Sequence, residues 1–237
     1  MSHMPGPPPR YFSLPEEFLL LSHLQSGKVH DIDQTSVGCA AAELGELALR
    51  RKLLVRARKF EKFGFEIFRH QGHIQLLDTE PTGLVWADRL LAELDPSVSG
   101  PAPVSVYRWL RKRRRAALPL HRQTLTERGA LRRRPGALLR RERHYPDPVA
   151  RNALVSDVRS AYAGNPLDEH LLFLCDLVEG ADLGGDLGVT LRWRQRMDRA
   201  RGIGAVESVP EDLRDTSTVL GFMVPSRRGK GGPGPGG

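Results

Sequence analysis

A mainly α-helical fold is predicted for this 237-residue chain, with one or two small β excursions. The first observation is that apolar side chains recur at helical spacing in most segments, as at Ala40, Leu44 and Leu47. The second is a set of helix-start patterns, such as Ser13 followed by Pro15 and two glutamates. The third is a hydrophobic content of 40 %, which supplies a substantial core without a metal or disulfide. A single domain is therefore predicted over residues 13–224.

The local residue pattern predicts each helix and strand. The segment 53–77 interleaves Phe and Ile with charged residues and is interrupted at Gly64 and Gly72, which favours short strands or an irregular excursion. A β-hairpin is predicted over 130–139, because Pro135-Gly136 supplies a turn between two short runs. Helices are predicted over 13–24, 35–52, 81–94, 118–128, 148–161, 166–178, 190–201 and 211–224.

The termini and the cysteines limit the class of protein. Residues 1–12 are expected to be a disordered lead that includes a cloning scar, and residues 225–237 a disordered Gly/Pro tail. Cys39 and Cys175 lack metal-ligand spacing, which indicates buried free thiols. The apolar run at 14–21 is too short to span a bilayer. These features predict a cytoplasmic protein that can lie at the inner face of the plasma membrane.

Positive charge is concentrated in one segment. Residues 108–143 contain fourteen Lys or Arg and two Glu, which gives a formal charge of +12, whereas the whole chain carries +8. The remainder of the chain is therefore net negative. Such a local excess of cations attracts phosphate, whether in a lipid headgroup or in a nucleic acid.

This Arg-rich segment is the candidate binding site for anionic lipid headgroups or a membrane surface, with a protein partner also considered. Each basic residue near an anionic surface contributes ~1 kcal/mol, so several together attach a protein without a pocket. The hairpin tip Pro135, Gly136, Ala137 and Leu138 is predicted to face the membrane, and homo-oligomerisation through the hairpin is the alternative. The predicted phosphate contacts are Arg108, Arg111, Lys112, Arg113, Arg114, Arg115, Arg122, Arg132, Arg133, Arg134, Arg140 and Arg141.

Two further function classes stay open with weaker support. Nucleic-acid binding would use the same arginines with base stacking on Tyr107 and Trp109, although Trp109 is more simply a buried residue. An accessory enzyme in a bacterial natural-product pathway, for a cyclisation or transfer step, has no positive motif. Asp31 with Asp33 is best explained as a pair of solvated carboxylates, and the pair His70 and His73 lacks further ligands. No catalytic residue, metal or cofactor is predicted.

Five passages carry a family pattern in their order and spacing. They are LPEEFLLL at 14–21, ELALR at 46–50, PTG at 81–83 followed by AD at 87–88, LTERGAL at 125–131, and YPDP at 145–148. Together they resemble the Golgi phosphoprotein 3 family, whose bacterial members are common in actinomycetes. The resemblance covers residues 13 to about 200.

The resemblance implies a helical bundle wrapped by amphipathic helices with one protruding β-hairpin. It also implies non-catalytic binding of phosphatidylinositol 4-phosphate and of protein tails, as in eukaryotic members. The eukaryotic lipid pocket uses a Trp and three Arg, and these positions fall here at Asp31, Ala40, Leu118 and Leu120. The fold is therefore expected to carry over better than the lipid specificity.

Overall fold

The computed structural model describes residues 11–62, 65–100, 102–135, 142–190, 195, 198 and 203–225. It is mainly helical, as predicted. The strands are β1 (Leu53–Lys62), β2 (Phe65–Leu76), β3 (Val104–Ser105), β4 (Leu131–Arg134) and β5 (Arg143–Pro146). The helices are α1 (Leu14–Ser22), α2 (Ile32–Leu49), α3 (Val85–Leu94), α4 (Pro96–Ser99), α5 (Val106–Glu127), α6 (Pro148–Tyr162), α7 (Glu169–Gly180), α8 (Gly184–Leu187) and α9 (Glu211–Met223), with a 3₁₀ turn at Gly204–Val206.

Helix α2 lies at the centre of the helical packing. It contacts α1, α5, α7 and α9, and it is buried on nearly all sides. Two glycines permit these close approaches: a Cβ at Gly38 would lie 2.2 Å from the Phe18 ring, and one at Gly45 would lie 2.7 Å from Leu14. A helix buried on all sides requires such small residues, because its neighbours approach from several directions.

Both predicted β regions form antiparallel ladders. β1 pairs with β2, with Leu53 opposite Leu76, and β3 extends this sheet along β2. β4 pairs with β5, with Leu131 opposite Pro146. The predicted pairing of 131–134 with the run directly after Pro135-Gly136 was wrong, because β4 pairs with β5, which begins at Arg143. Gly136 and residues 137–139 lie outside the described residues. The backbone N–H of His144 donates to the Gly27 carbonyl at 3.0 Å, which anchors β5 against the turn between α1 and α2.

Two of the predicted helix boundaries that differ from the structure have a local cause. The 118–128 helix is the last part of α5, which begins at Val106, because Pro119 is accommodated inside the helix instead of starting it. Residues 81–84 form a turn before α3, in which Asp88 accepts hydrogen bonds from the Thr82 backbone N–H at 2.6 Å and hydroxyl at 2.7 Å. Of the predicted 190–201 helix, all but residues 190, 195 and 198 lie outside the described residues.

No described helix is both long enough and apolar enough to cross a membrane.

Candidate anionic interface

The outer face of α5 carries four cations. Arg108, Arg111, Lys112 and Arg115 are spaced i, i+3, i+4 and i+7, which brings them to one side of a helix. All four are exposed, and within the described part of the chain none of them has a carboxylate partner. The inner side of α5 is fixed in the core by Val106, Trp109, Leu110, Ala117, His121 and Leu125. The cationic face is therefore held outward by the packing behind it.

Arg113, from the same sequence run, points to the inner side of α5. Its Nε and Nη2 atoms donate to the two carboxylate oxygens of Glu43 at 2.7 and 2.8 Å. Arg113 is 16 % exposed and Glu43 is fully buried. Hydrogen bonding to Glu43 raises the pKa of the Arg113 guanidinium above its usual value. This bidentate pair joins α5 to α2 and removes Arg113 from the outer face.

The Glu43 carboxylate has a second partner. His121 Nε2 lies 3.0 Å from Glu43 Oε1, and the His121 side chain is fully buried. The Trp86 ring of α3 meets the His121 ring edge-on, with 5.1 Å between the ring centroids. Sequence reasoning missed Glu43, although its position three residues after Ala40 and four before Leu47 places it on the apolar face of α2.

The remaining predicted cations of α5 lie in mixed surroundings. Arg114 Nη1 is 3.5 Å from Asp33 Oδ1 in an exposed pair. Arg122 is partly buried, and its Nε atom has no hydrogen-bond partner within the described ranges. Burial lowers the pKa of the Arg122 guanidinium. Arg122 also acts electrostatically on the buried imidazole of His23.

His23 lies beneath the β4–β5 ladder in a cationic environment. Burial lowers its pKa to about 4, and the charges of Arg122, His144 and Arg151 act in the same direction. A hydrogen bond between Nδ1 and the Leu19 carbonyl opposes this shift. The His144 ring lies 6.3 Å away, centroid to centroid, and burial lowers its pKa as well. The His23 imidazole is therefore neutral near pH 7.

The arginines of β4 alternate between two environments. Arg132 and Arg134 project to one face of the ladder, because side chains two residues apart lie on the same face of a strand. The Arg134 guanidinium lies over the Tyr145 ring at 5.0 Å. Arg133 pairs with Glu142 at 2.6 Å. Pro135 is exposed. The predicted sites Gly136, Ala137, Leu138, Arg140 and Arg141 lie outside the described residues, and the lipid contacts assigned to β4 stay predictions.

A groove of about 370 Å³ runs between this face of the ladder and the start of α6. Arg151 from the first turns of α6 contributes to its wall, and its Nε atom donates to the His23 carbonyl at 3.1 Å. No sequence spacing links Arg151 to β4, and sequence reasoning did not find it. The groove is lined by Gln25, Arg132, Arg134, Tyr145, Pro146, Pro148, Arg151 and Asn152.

Asp31, one of the two carboxylates considered for catalysis, has a structural role. Of the two histidines considered for metal binding, His73 is exposed, and the side chain of His70 lies outside the description. Asp31 caps α2 by accepting hydrogen bonds from the backbone N–H groups of Asp33 at 2.9 Å and Gln34 at 3.0 Å. Cys39 and Cys175 are buried thiols, and burial raises the pKa of the Cys39 thiol. Within the described residues, no group of three His, Cys, Asp or Glu side chains could hold a metal ion.

Two of the sequence motifs that carry the family resemblance form contacts between helices. Glu46 of ELALR accepts from the Leu14 backbone N–H and from Arg50 Nε, both at 2.8 Å. Arg128 of LTERGAL donates to both carboxylate oxygens of Glu16 at 3.0 Å, which links the end of α5 to α1. A family model described as Golgi phosphoprotein 3 (GPP34) matches residues 14–219. The chain belongs to this family.

Membership in the Golgi phosphoprotein 3 family fits a non-catalytic binding role. Among curated proteins, none matches the chain. Glu46 and Arg128 of these motifs join α1 to α2 and α5 through internal contacts. These contacts support the fold and identify no ligand.

Proposed function

We propose that this protein is a non-catalytic peripheral protein that contacts anionic phospholipid surfaces through the outer face of α5. The observation that carries the proposal is the set of four exposed cations, Arg108, Arg111, Lys112 and Arg115, without a carboxylate partner in the described part of the chain. The corresponding location is the cytoplasmic side of a membrane, where anionic lipids give a negative surface potential.

The geometry of the four cations favours binding to a membrane surface over binding of one small anion in a pocket. The four cations occupy two turns of one helix face, so all of them can approach a plane of headgroups together. Each contributes about 1 kcal/mol near an anionic membrane, which gives about 4 kcal/mol in total. The contact depends on charge, and salt therefore weakens it.

Liposome co-sedimentation tests the proposal. We expect binding to rise with phosphatidylglycerol content and to fall with salt. A variant with Arg108→Gln, Arg111→Gln, Lys112→Gln and Arg115→Gln is expected to bind about a thousandfold more weakly. The matched control removes the same charge from scattered exposed positions, with Lys28→Gln, Arg56→Gln, Arg89→Gln and Arg159→Gln.

The control separates a localised contact from attraction by net charge. The proposal fails if the two variants lose binding equally, or if the unmodified protein binds neutral phosphatidylcholine vesicles as well as anionic ones. Tighter binding to duplex DNA than to vesicles at equal salt, with the same four residues required, would favour the nucleic-acid alternative.

A further inference from the structure

We infer that the groove between the β4–β5 ladder and α6 binds an extended acidic segment of a partner protein. This role goes beyond the membrane contact proposed above and uses different residues. The groove is lined by arginines from two separate elements, together with two side-chain amides and an apolar wall.

Arg151 supplies a buried cation with unused donors. The residue is 9 % exposed. Its Nε atom donates to the His23 carbonyl, and this is its one side-chain hydrogen bond among the described residues. A guanidinium carries five N–H donors, so most of its capacity is open to a ligand. Burial lowers the pKa of Arg151, which reflects the loss of water around its charge. A carboxylate in the groove would compensate for that loss.

Arg132 and Arg134 set the spacing of the ligand. They lie two residues apart on one face of β4, which corresponds to about 7 Å along a strand. Stacking on Tyr145 holds the Arg134 guanidinium in place, so it is not free to converge with Arg132 on one small anion. Alternate side chains of an extended peptide have the same spacing. Acidic residues at positions i and i+2 would therefore match the two arginines.

The rest of the lining suits a peptide better than a phosphate. The amides of Gln25 and Asn152 offer both donors and acceptors, as a peptide backbone requires, whereas a phosphate would use donors alone. Tyr145, Pro146 and Pro148 form an apolar wall for an intervening side chain. The volume of about 370 Å³ is enough for a short segment.

Fluorescence anisotropy with a labelled short peptide tests the inference. The peptide has glutamates at alternate positions around a leucine, and its glutamine counterpart is the peptide control. We expect Arg132→Gln with Arg134→Gln to weaken binding at least ~10-fold, since each removes a hydrogen bond to a charged group. Arg133→Gln is the control on the same strand and is compared, charge for charge, with Arg132→Gln alone, because Arg133 pairs with Glu142. We expect it to change affinity less than about twofold.

Three outcomes would overturn the inference. They are equal losses in Arg132→Gln and Arg133→Gln, no loss in the double variant, and displacement of the peptide by inorganic phosphate at constant ionic strength. The last would identify a phosphate site. The variant lacking Arg108, Arg111, Lys112 and Arg115 is expected to keep peptide binding. Failure of the membrane proposal and failure of this inference are therefore distinguishable.

Discussion

The two sides of α5 use the same residue type for opposite purposes. Arg113 on the inner side is joined to the fully buried carboxylate of Glu43, whereas Arg108, Arg111 and Arg115 on the outer side have no carboxylate partner in the described residues. These residues lie within eight positions of one another, and helical periodicity alone separates them. A run of charge in the sequence is therefore not a single surface, and each cation has to be assigned by its position on the helix.

The largest expected effect comes from breaking the inner pair. Arg113→Gln leaves Glu43 buried without its bidentate partner, so we expect the free energy of unfolding to fall by about 3–5 kcal/mol. Arg115→Gln, two residues along on the outer face, should change it by less than about 0.5 kcal/mol. Urea unfolding followed by circular dichroism measures both values.

A double variant checks the physical reason for this loss. Arg113→Met with Glu43→Gln removes both charges and keeps a side-chain oxygen that can accept from His121. It is expected to recover much of the stability lost in Arg113→Gln, because no buried charge is left without its partner. Equal stability of the Arg113 and Arg115 variants would contradict the division of α5 into two sides.

The division of α5 into an inner and an outer side also shows which parts of the structure could be predicted from the sequence. Apolar periodicity was enough for the helices of the core, and the candidate cations on α5 followed from composition. The inward orientation of Arg113 could also have been predicted from the sequence, because Glu43 lies in the apolar stripe of α2 and needs a cationic partner. The start of α5 at Val106 was hidden by Pro119, whose local preference is overridden by the packing of Trp109, Leu110 and Ala117.

The groove at Arg151 could not be predicted, because three separate elements build it. β5 is positioned by the bond from His144 to the Gly27 carbonyl, and α6 by the bond from Arg151 to the His23 carbonyl. Neither bond follows from a local pattern. The strand positions also depended on contacts of this kind, which explains why the second strand was placed too early.

The buried imidazole of His23 makes the free energy of unfolding depend on pH. Its pKa of about 4 lies below the usual 6.5, so the unfolded state binds more protons between these values. The stabilising contribution is fully present above pH about 6.5 and is lost as pH falls toward 4. We expect roughly 3 kcal/mol of lost stability at pH 4 from this residue. Urea unfolding across this pH range measures the loss.

The difference in stability between the unmodified protein and His23→Gln isolates the contribution of His23, because the protonation of carboxylates affects both proteins. His23→Gln should be less stable than the unmodified protein at pH 7, and the difference should shrink as pH falls to 4. His73→Gln, at an exposed position, is the control for the His-to-Gln substitution itself. A constant difference between His23→Gln and the unmodified protein over this range would contradict the burial of a neutral imidazole.

The smallest effect belongs to single cations of the outer face. Arg108→Gln or Arg115→Gln should each weaken binding to phosphatidylglycerol vesicles by about fivefold, which corresponds to about 1 kcal/mol. Neither should alter the unfolding midpoint in urea, because both side chains are exposed. The inner residue should show the reverse pattern, with Arg113→Gln lowering stability while the folded fraction keeps its vesicle affinity. If Arg113→Gln instead weakened vesicle binding as much as Arg108→Gln at equal folded fraction, the membrane contact would depend on the total charge of α5 and not on its outer face.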